Sequence, residues 1–185
     1  MRYALLALFL MTYLSSICQY RAPIHPVYQK EIKKLARNKK VKKAFEFIRS
    51  DEKRTLREHV YLTEIPAPPF KEDKRAEAFM EMLVTLEADS AWIDKMGNVL
   101  CLVKGRNKHK TVCIDGHLDT VFPEGTDVTV RQVGDTLFAP GIGDDTRGLV
   151  LVLTVLRAME EAGVETEDDI WFVGVVGEEG LGDLR

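Results

Sequence analysis

Ile170-Trp171-Phe172-Val173-Gly174-Val175-Val176 is a continuous apolar run, and it ends directly on Gly177-Glu178-Glu179-Gly180. A strand buried on both faces shows such a run, and strands of that kind occur where helices cover the sheet. Residues 146–162 read as a strongly apolar helix. Short β-prone runs stand at residues 91–94, 99–103, 111–115, 128–132 and 136–139, the last two flanking the turn Val133-Gly134-Asp135. Strands alternating with helices predict the α/β class, with a mixed, largely buried β-sheet flanked by helices.

Further upstream the period changes to that of helices. Residues 30–62 read as helices interrupted near Ser50-Asp51, where either residue can cap a new start with Glu52 in its first turn. Ile65-Pro66-Ala67-Pro68-Pro69-Phe70 breaks the chain, and residues 71–88 form a further helix with Ala76, Phe79, Met80 and Leu83 on one face. With 185 residues, 45% of them hydrophobic and 30% charged, the chain can bury a core; disordered, collagen-like and multi-span membrane classes are excluded. A formal net charge of -3 gives no reason to expect nucleic acid as a partner. That small sum hides a division: residues 21–58 carry 13 Lys+Arg against 5 Asp+Glu, and residues 59–185 carry 12 against 24. The basic stretch also holds Ile32, Leu35, Val41, Phe45 and Ile48 at helical spacing, so it reads as the solvated face of amphipathic helices.

The first residues read as a targeting signal. Arg2 supplies a positive start, residues 4–17 are apolar, and Ser16-Ile17-Cys18 approximates a small-x-small cleavage site before Gln19. The apolar stretch is shorter than the ~20 residues a spanning helix needs. The expectation is therefore export to a periplasmic or extracellular space with no membrane span after cleavage; an uncleaved anchor and lipidation at Cys18 are the competing readings. The chain then divides into a signal peptide (1–18), a basic helical segment (19–62) and the region that carries the chemistry (63–185). If the runs at 99–103 and 111–114 pair as a hairpin centred on Asn107, Cys101 and Cys113 fall opposite each other. A cross-strand disulfide is one reading of that pair; two small buried hydrophobes is the other and the favoured one, because strand geometry often strains such a bridge.

Three short segments carry the chemistry. In Asp115-Gly116-His117-Leu118-Asp119-Thr120-Val121 a histidine leaves a strand end, where α/β sheets present reactive groups. A neutral imidazole there can bind a metal through one nitrogen while the carboxylate two residues on takes the proton of the other. In Gly141-Ile142-Gly143-Asp144-Asp145-Thr146-Arg147-Gly148 two carboxylates precede the apolar helix; one of them serves as its N-cap, and two exceed what a cap requires. In Gly177-Glu178-Glu179-Gly180 two carboxylates end the buried strand, which is costly unless they are paired or bind a cation. Two divalent ions would relieve that cost, and oxygen and imidazole ligands without thiolates fit Zn, Mn or Co.

In order and spacing these segments resemble the M20 family of metallopeptidases and amidohydrolases, and Ile65-Pro66-Ala67-Pro68-Pro69 with Gly97-Asn98-Val99 looks like its peptidase T-like branch. The resemblance covers residues 55–185. It implies an α/β/α sandwich of the zinc exopeptidase type and two Zn2+ ions per complete catalytic domain, with Co2+ or Mn2+ as alternatives. His117 would bind one zinc with Asp119 behind it, Asp144 would bridge both ions next to a cis peptide bond to Asp145, and Glu179 would bind the second. Glu178 would be the general base, taking a proton from the attacking water and delivering it to the leaving amine. The implied substrate is a peptide or an N-acyl amino acid.

Two departures from the family pattern stand out. Thr146-Arg147 replaces the Lys that many relatives carry after the Asp pair, and the family's further carboxylate ligand, last His and inserted dimerising domain have no counterpart before Arg185. The chain is therefore expected to be the N-terminal part of an M20-type hydrolase that is active, and homodimeric, only when complete. The alternatives are an inactive truncated metal-binding or interaction module and an M28-like zinc aminopeptidase.

Overall fold

The computed structural model of the chain describes residues 24–107 and 110–180; the proposed signal peptide lies outside the described residues. The chain divides into two compact units between Ala36 and Arg37. The first holds α1 (Pro26–Arg37) up to its last residue, a helix with no buried residue. The second carries, in order, α2 (Lys39–Ser50), α3 (Glu52–Thr63), α4 (Asp73–Leu83), β1 (Ser90–Ile93), β2 (Val99–Val103), β3 (Thr111–His117), β4 (Arg131–Val133), β5 (Thr136–Phe138), α5 (Thr146–Ala162) and β6 (Asp169–Val175).

Local chemistry explains most of these boundaries. Asn38 separates α1 from α2, a break that the periodicity did not announce; its side chain accepts hydrogen bonds from the amides of Lys40 and Val41, the work of an N-cap. The break at Asp51 falls where expected, but Asp51 makes no side-chain cap. Its carboxylate instead receives Nη1 of Arg157 at 2.9 Å, because the buried guanidinium of α5 is the stronger partner. Helix α5 begins at Asp145, whose side chain accepts from the Gly148 amide, and ends at Gly163 in the left-handed conformation that a residue without a Cβ adopts at least cost. Helix α4 stops at Leu83, five residues short of the expected span.

The main sheet has the order β1-β2-β6-β3, antiparallel except for the parallel pair β3 and β6. Strands β2 and β3 are therefore not a hairpin. The most apolar run, β6, lies between them with both of its edges hydrogen-bonded, and α5 serves as the crossover that lets β3 and β6 run parallel. Cys101 consequently faces Phe172 and Cys113 faces Trp171, and both thiols are free. Cys101 is buried, as a small hydrophobe would be, whereas Cys113 is exposed on the edge strand. The hairpin β4–β5 forms a separate two-stranded sheet around Gly134, with the Arg131 guanidinium 4.7 Å from the centre of the Phe138 ring.

Two glycines show which face the helices occupy. A Cβ on Gly174 would meet the Phe79 ring of α4 at 3.0 Å, and one on Gly116 would meet the Leu149 amide nitrogen of α5 at 2.8 Å. Gly116 and Gly174 are register partners, so α4 and α5 pack on the same side of the sheet. Between them and the strands lies the core of Phe79, Leu83, Val99, Cys101, Leu149, Leu153 and Phe172. Behind α5, Arg157 is nearly fully buried and joins the helix to Asp51 and Glu58, while Thr55 of α3 meets Thr154. Among the described residues no helix is long and apolar enough to cross a membrane.

Candidate metal centre

The parallel register brings two of the three chemical segments to the same end of the sheet. His117, the last residue of β3, lies opposite Val175, the last of β6, so the loops beginning at Leu118 and Val176 leave side by side. This is the carboxyl end of the strands, where open α/β sheets place their sites. The third segment arrives through α5. The Asp145 carboxylate takes the Gly148 amide on Oδ1 at 2.9 Å and the His117 amide on Oδ2 at 3.1 Å. One side chain thus starts α5 and fastens it to the end of β3. Asp145 is the cap of the pair, and Asp144 is left to face the site across a cis peptide bond. From α3, His59 donates Nε2–H to the Ile142 carbonyl at 2.6 Å, and Thr63 meets the Thr146 hydroxyl at 2.8 Å, steadying the loop that carries Asp144.

His117 is 7% exposed and has a partner on each ring nitrogen. Nδ1 donates to the Asp119 carbonyl at 2.9 Å, and Nε2 lies 2.8 Å from Oδ1 of Asp144 and 3.8 Å from Oε2 of Glu178. Burial lowers its pKa, but the hydrogen bonds to Asp144 and to the Asp119 carbonyl, with the charges of Asp145 and Asp119, outweigh that, and the net shift is upward.

The sequence reading assigned the second imidazole proton to the Asp119 carboxylate, and here the structure differs. Nδ1 is 3.8 Å from Oδ1 of Asp119 and bonds the carbonyl instead. The carboxylate is fully buried and already claimed: Oδ1 accepts from the Glu178 amide at 3.2 Å and Oδ2 from the Glu179 amide at 2.8 Å. Asp119 therefore holds His117 through its main chain and the Glu178-Glu179 turn through its side chain.

Of the five residues singled out from sequence, His117, Asp144 and Glu179 form a cluster in which each offers one ligand atom and all three atoms lie within 4.8 Å of one another. Glu178 stands beside the cluster, and Asp119 lies beneath it. One imidazole nitrogen and two carboxylate oxygens form a borderline-hard donor set that suits zinc, cobalt or manganese. The second imidazole nitrogen is already bonded to a carbonyl, as it is in metal-binding histidines. The residues present fit a divalent cation on these grounds.

The sequence reading missed Arg75. It lies four residues before Phe79, on the buried side of α4, and that spacing was the available signal. Its side chain is fully buried and donates Nη1 to the Leu118 carbonyl at 2.7 Å, and Nη2 and Nε to the Ile65 carbonyl at 2.6 and 3.1 Å.

Residues 113–184 match the model of Peptidase family M20/M25/M40. The chain is 28% identical to the uncharacterized protein YqjE of Bacillus subtilis over 143 residues, which are 70% of this chain and 37% of that protein. It is 35% identical to carboxypeptidase G2 of Pseudomonas over 69 residues, 36% of this chain and 16% of that one. The solved structure of aminopeptidase PepT from Bacillus cereus superposes with a TM-score of 0.61 at 20% identity, covering 72% of this chain and 39% of that one; it shares the fold. The chain thus spans about a third of the length of the first of these relatives and about a sixth of the second. Residues 113–184, which carry His117, Asp144 and Glu179, are thus similar to peptidase family M20/M25/M40.

Proposed function

We propose that the protein is a metal-dependent hydrolase of peptide or amide bonds, acting as an exopeptidase on a dinuclear zinc centre to which this chain contributes His117, Asp144 and Glu179. The observation that carries the reading is the convergence of those three donors, drawn from three separate segments within the matched region. Bound divalent cations supply Lewis acidity toward the scissile carbonyl and make water available as a nucleophile near neutral pH.

The chain's own residues do the rest. His117, held at Nδ1 by the Asp119 carbonyl, presents Nε2 toward Asp144. Asp119 sets the turn so that Glu179 points into the cluster while Glu178 stands 3.8 Å from Nε2 of His117. The Glu178 side chain is 57% exposed, open to an incoming substrate. In its proposed role the Glu178 carboxylate takes one proton from the attacking water as the new C–O bond forms. It returns that proton to the nitrogen as the C–N bond breaks, so acid and amine leave with the proton count balanced. The reading also includes export directed by residues 1–18 and dimerisation of the complete protein.

The test combines metal analysis with turnover by the complete protein on di- and tripeptides and N-acyl amino acids. Glu178→Ala is expected to lower turnover at least ~100-fold, the scale of a lost general base, while zinc content is unchanged. Loss of zinc together with activity would show that Glu178 and Glu179 have exchanged roles. His117→Ala is expected to lower zinc occupancy, and absence of any metal-dependent hydrolysis overturns the reading.

A further inference from the structure

We propose that Arg75 is a positioning residue for the metal cluster, clamping the Leu118 carbonyl between His117 and Asp119 and so steadying the Asp119 carboxylate that orders the Glu178-Glu179 turn. The inference rests on the metal-centre reading above and extends it to a residue that touches neither substrate nor metal.

Two carbonyls anchor the clamp, and two main-chain hydrogen bonds hold the same segment. Leu118 donates its amide to the Val175 carbonyl at 2.7 Å and receives Nη1 of Arg75 on its own carbonyl at 2.7 Å, so the residue between His117 and Asp119 is held from both sides. Thr120 then donates its amide to the Ala67 carbonyl at 2.9 Å. Through Nη2 and Nε, Arg75 also grips the Ile65 carbonyl at the start of the proline-rich break, so one planar fork ties that segment to the segment carrying His117. Lysine has a single ammonium and cannot serve both carbonyls in this way.

Electrostatics gives the second reason. Asp119 is fully buried, and a buried carboxylate is costly unless charge and hydrogen bonds compensate it. The two turn amides supply the hydrogen bonds. Arg75 supplies positive charge in the same buried region: burial pulls its pKa down to about 10, and the charges of Asp119 and Glu72 work in the opposite direction. Without that cation the carboxylate would favour water over the turn amides, and Glu179 would lose the register that brings it to His117 and Asp144.

The experiment measures zinc affinity directly, by competition with a fluorescent chelator, at a temperature where circular dichroism shows each metal-free protein folded. Arg75→Met is expected to weaken zinc binding at least ~10-fold, within the range seen when partners behind metal ligands are removed. Arg75→Lys, which keeps the charge and loses the fork, is expected to fall between the two. Asp119→Asn weakens binding as well, and adding Arg75→Met to it is expected to cost less than about threefold more, because both changes release the same turn. Full additivity of the two losses, or wild-type zinc affinity in a folded Arg75→Met or Arg75→Lys protein, overturns the inference while leaving the metal centre standing. Failure of the wild-type protein to bind zinc at all overturns the metal-centre reading itself. If Arg75→Met does not fold, Arg75→Lys alone decides.

Discussion

Cys113 sits exposed on the edge strand β3, while Cys101, opposite Phe172, is fully buried. Burial pushes the Cys101 thiol up to about 11, and burial together with the Asp115 charge also raises Cys113. Since a thiol must be reached to react, access favours Cys113. Iodoacetamide applied to the native protein is expected to label Cys113 at least ~10-fold faster than Cys101, with Cys101 labelled only after denaturation, as read by peptide mapping. A disulfide between them in the mapped peptides would contradict the strand order. At this scale the sequence was informative about residue type and less so about partners. The pair Asp144-Asp145 announced one cap and one spare carboxylate; which is which depends on the His117 amide, 28 residues earlier. Likewise, His-x-Asp spacing suggested a carboxylate–imidazole bond. The actual acceptor is the carbonyl, because amides some 60 residues away claim the carboxylate, and no local spacing encodes that pairing.

Among elements, the contact that binds the helical layers is concentrated in Arg157. It is 3% exposed and meets Asp51 at 2.9 Å and both Glu58 oxygens at 2.8 and 3.0 Å, joining α5 to the α2–α3 junction. Removing one partner of a buried ion pair leaves the remaining charges desolvated, which costs about 3–5 kcal/mol. Arg157→Ala is therefore expected to lower the thermal midpoint by roughly 10 °C, followed by circular dichroism. An exposed charge such as Lys53 changed to Ala should move it by no more than a degree or two. A midpoint unchanged in Arg157→Ala would mean that α2 and α3 are not held through this cluster. Helix α5 and strand β2 have the bounds that periodicity predicted, since capping and apolar period are local signals. The pairing of strands was not legible in the same way: two apolar runs around a polar turn look like a hairpin whether or not a third strand enters between them. Here β6 does so, because the most apolar run gains most from having neighbours on both edges.

For the molecule as a whole, the helices of the second unit leave the two faces of the sheet unequal. One face carries Phe172, Cys101 and Val99 under α4 and α5. The other presents Trp92, Leu100, Leu102 and Trp171, neighbours in the register, with the two indoles edge-to-face at 5.4 Å. Trp92 is 39% exposed and the other three are half-buried, so this face is apolar yet open among the described residues. Contiguous apolar surface of this kind, where it occurs on a folded protein, marks an interaction site, a ligand groove or an aggregation liability. The chain's two tryptophans both lie on it and report on it without any label. For a protein of these 185 residues the emission is expected to be that of partly solvated indole and to be quenched by acrylamide, with appreciable binding of a hydrophobic dye such as ANS. Dilution separates the two ways of covering the face: protection from acrylamide that disappears on dilution identifies a second copy of the chain. Protection that persists at every concentration, with blue-shifted emission and no dye binding, would show that the face is closed within one chain and that the open arrangement described above is wrong.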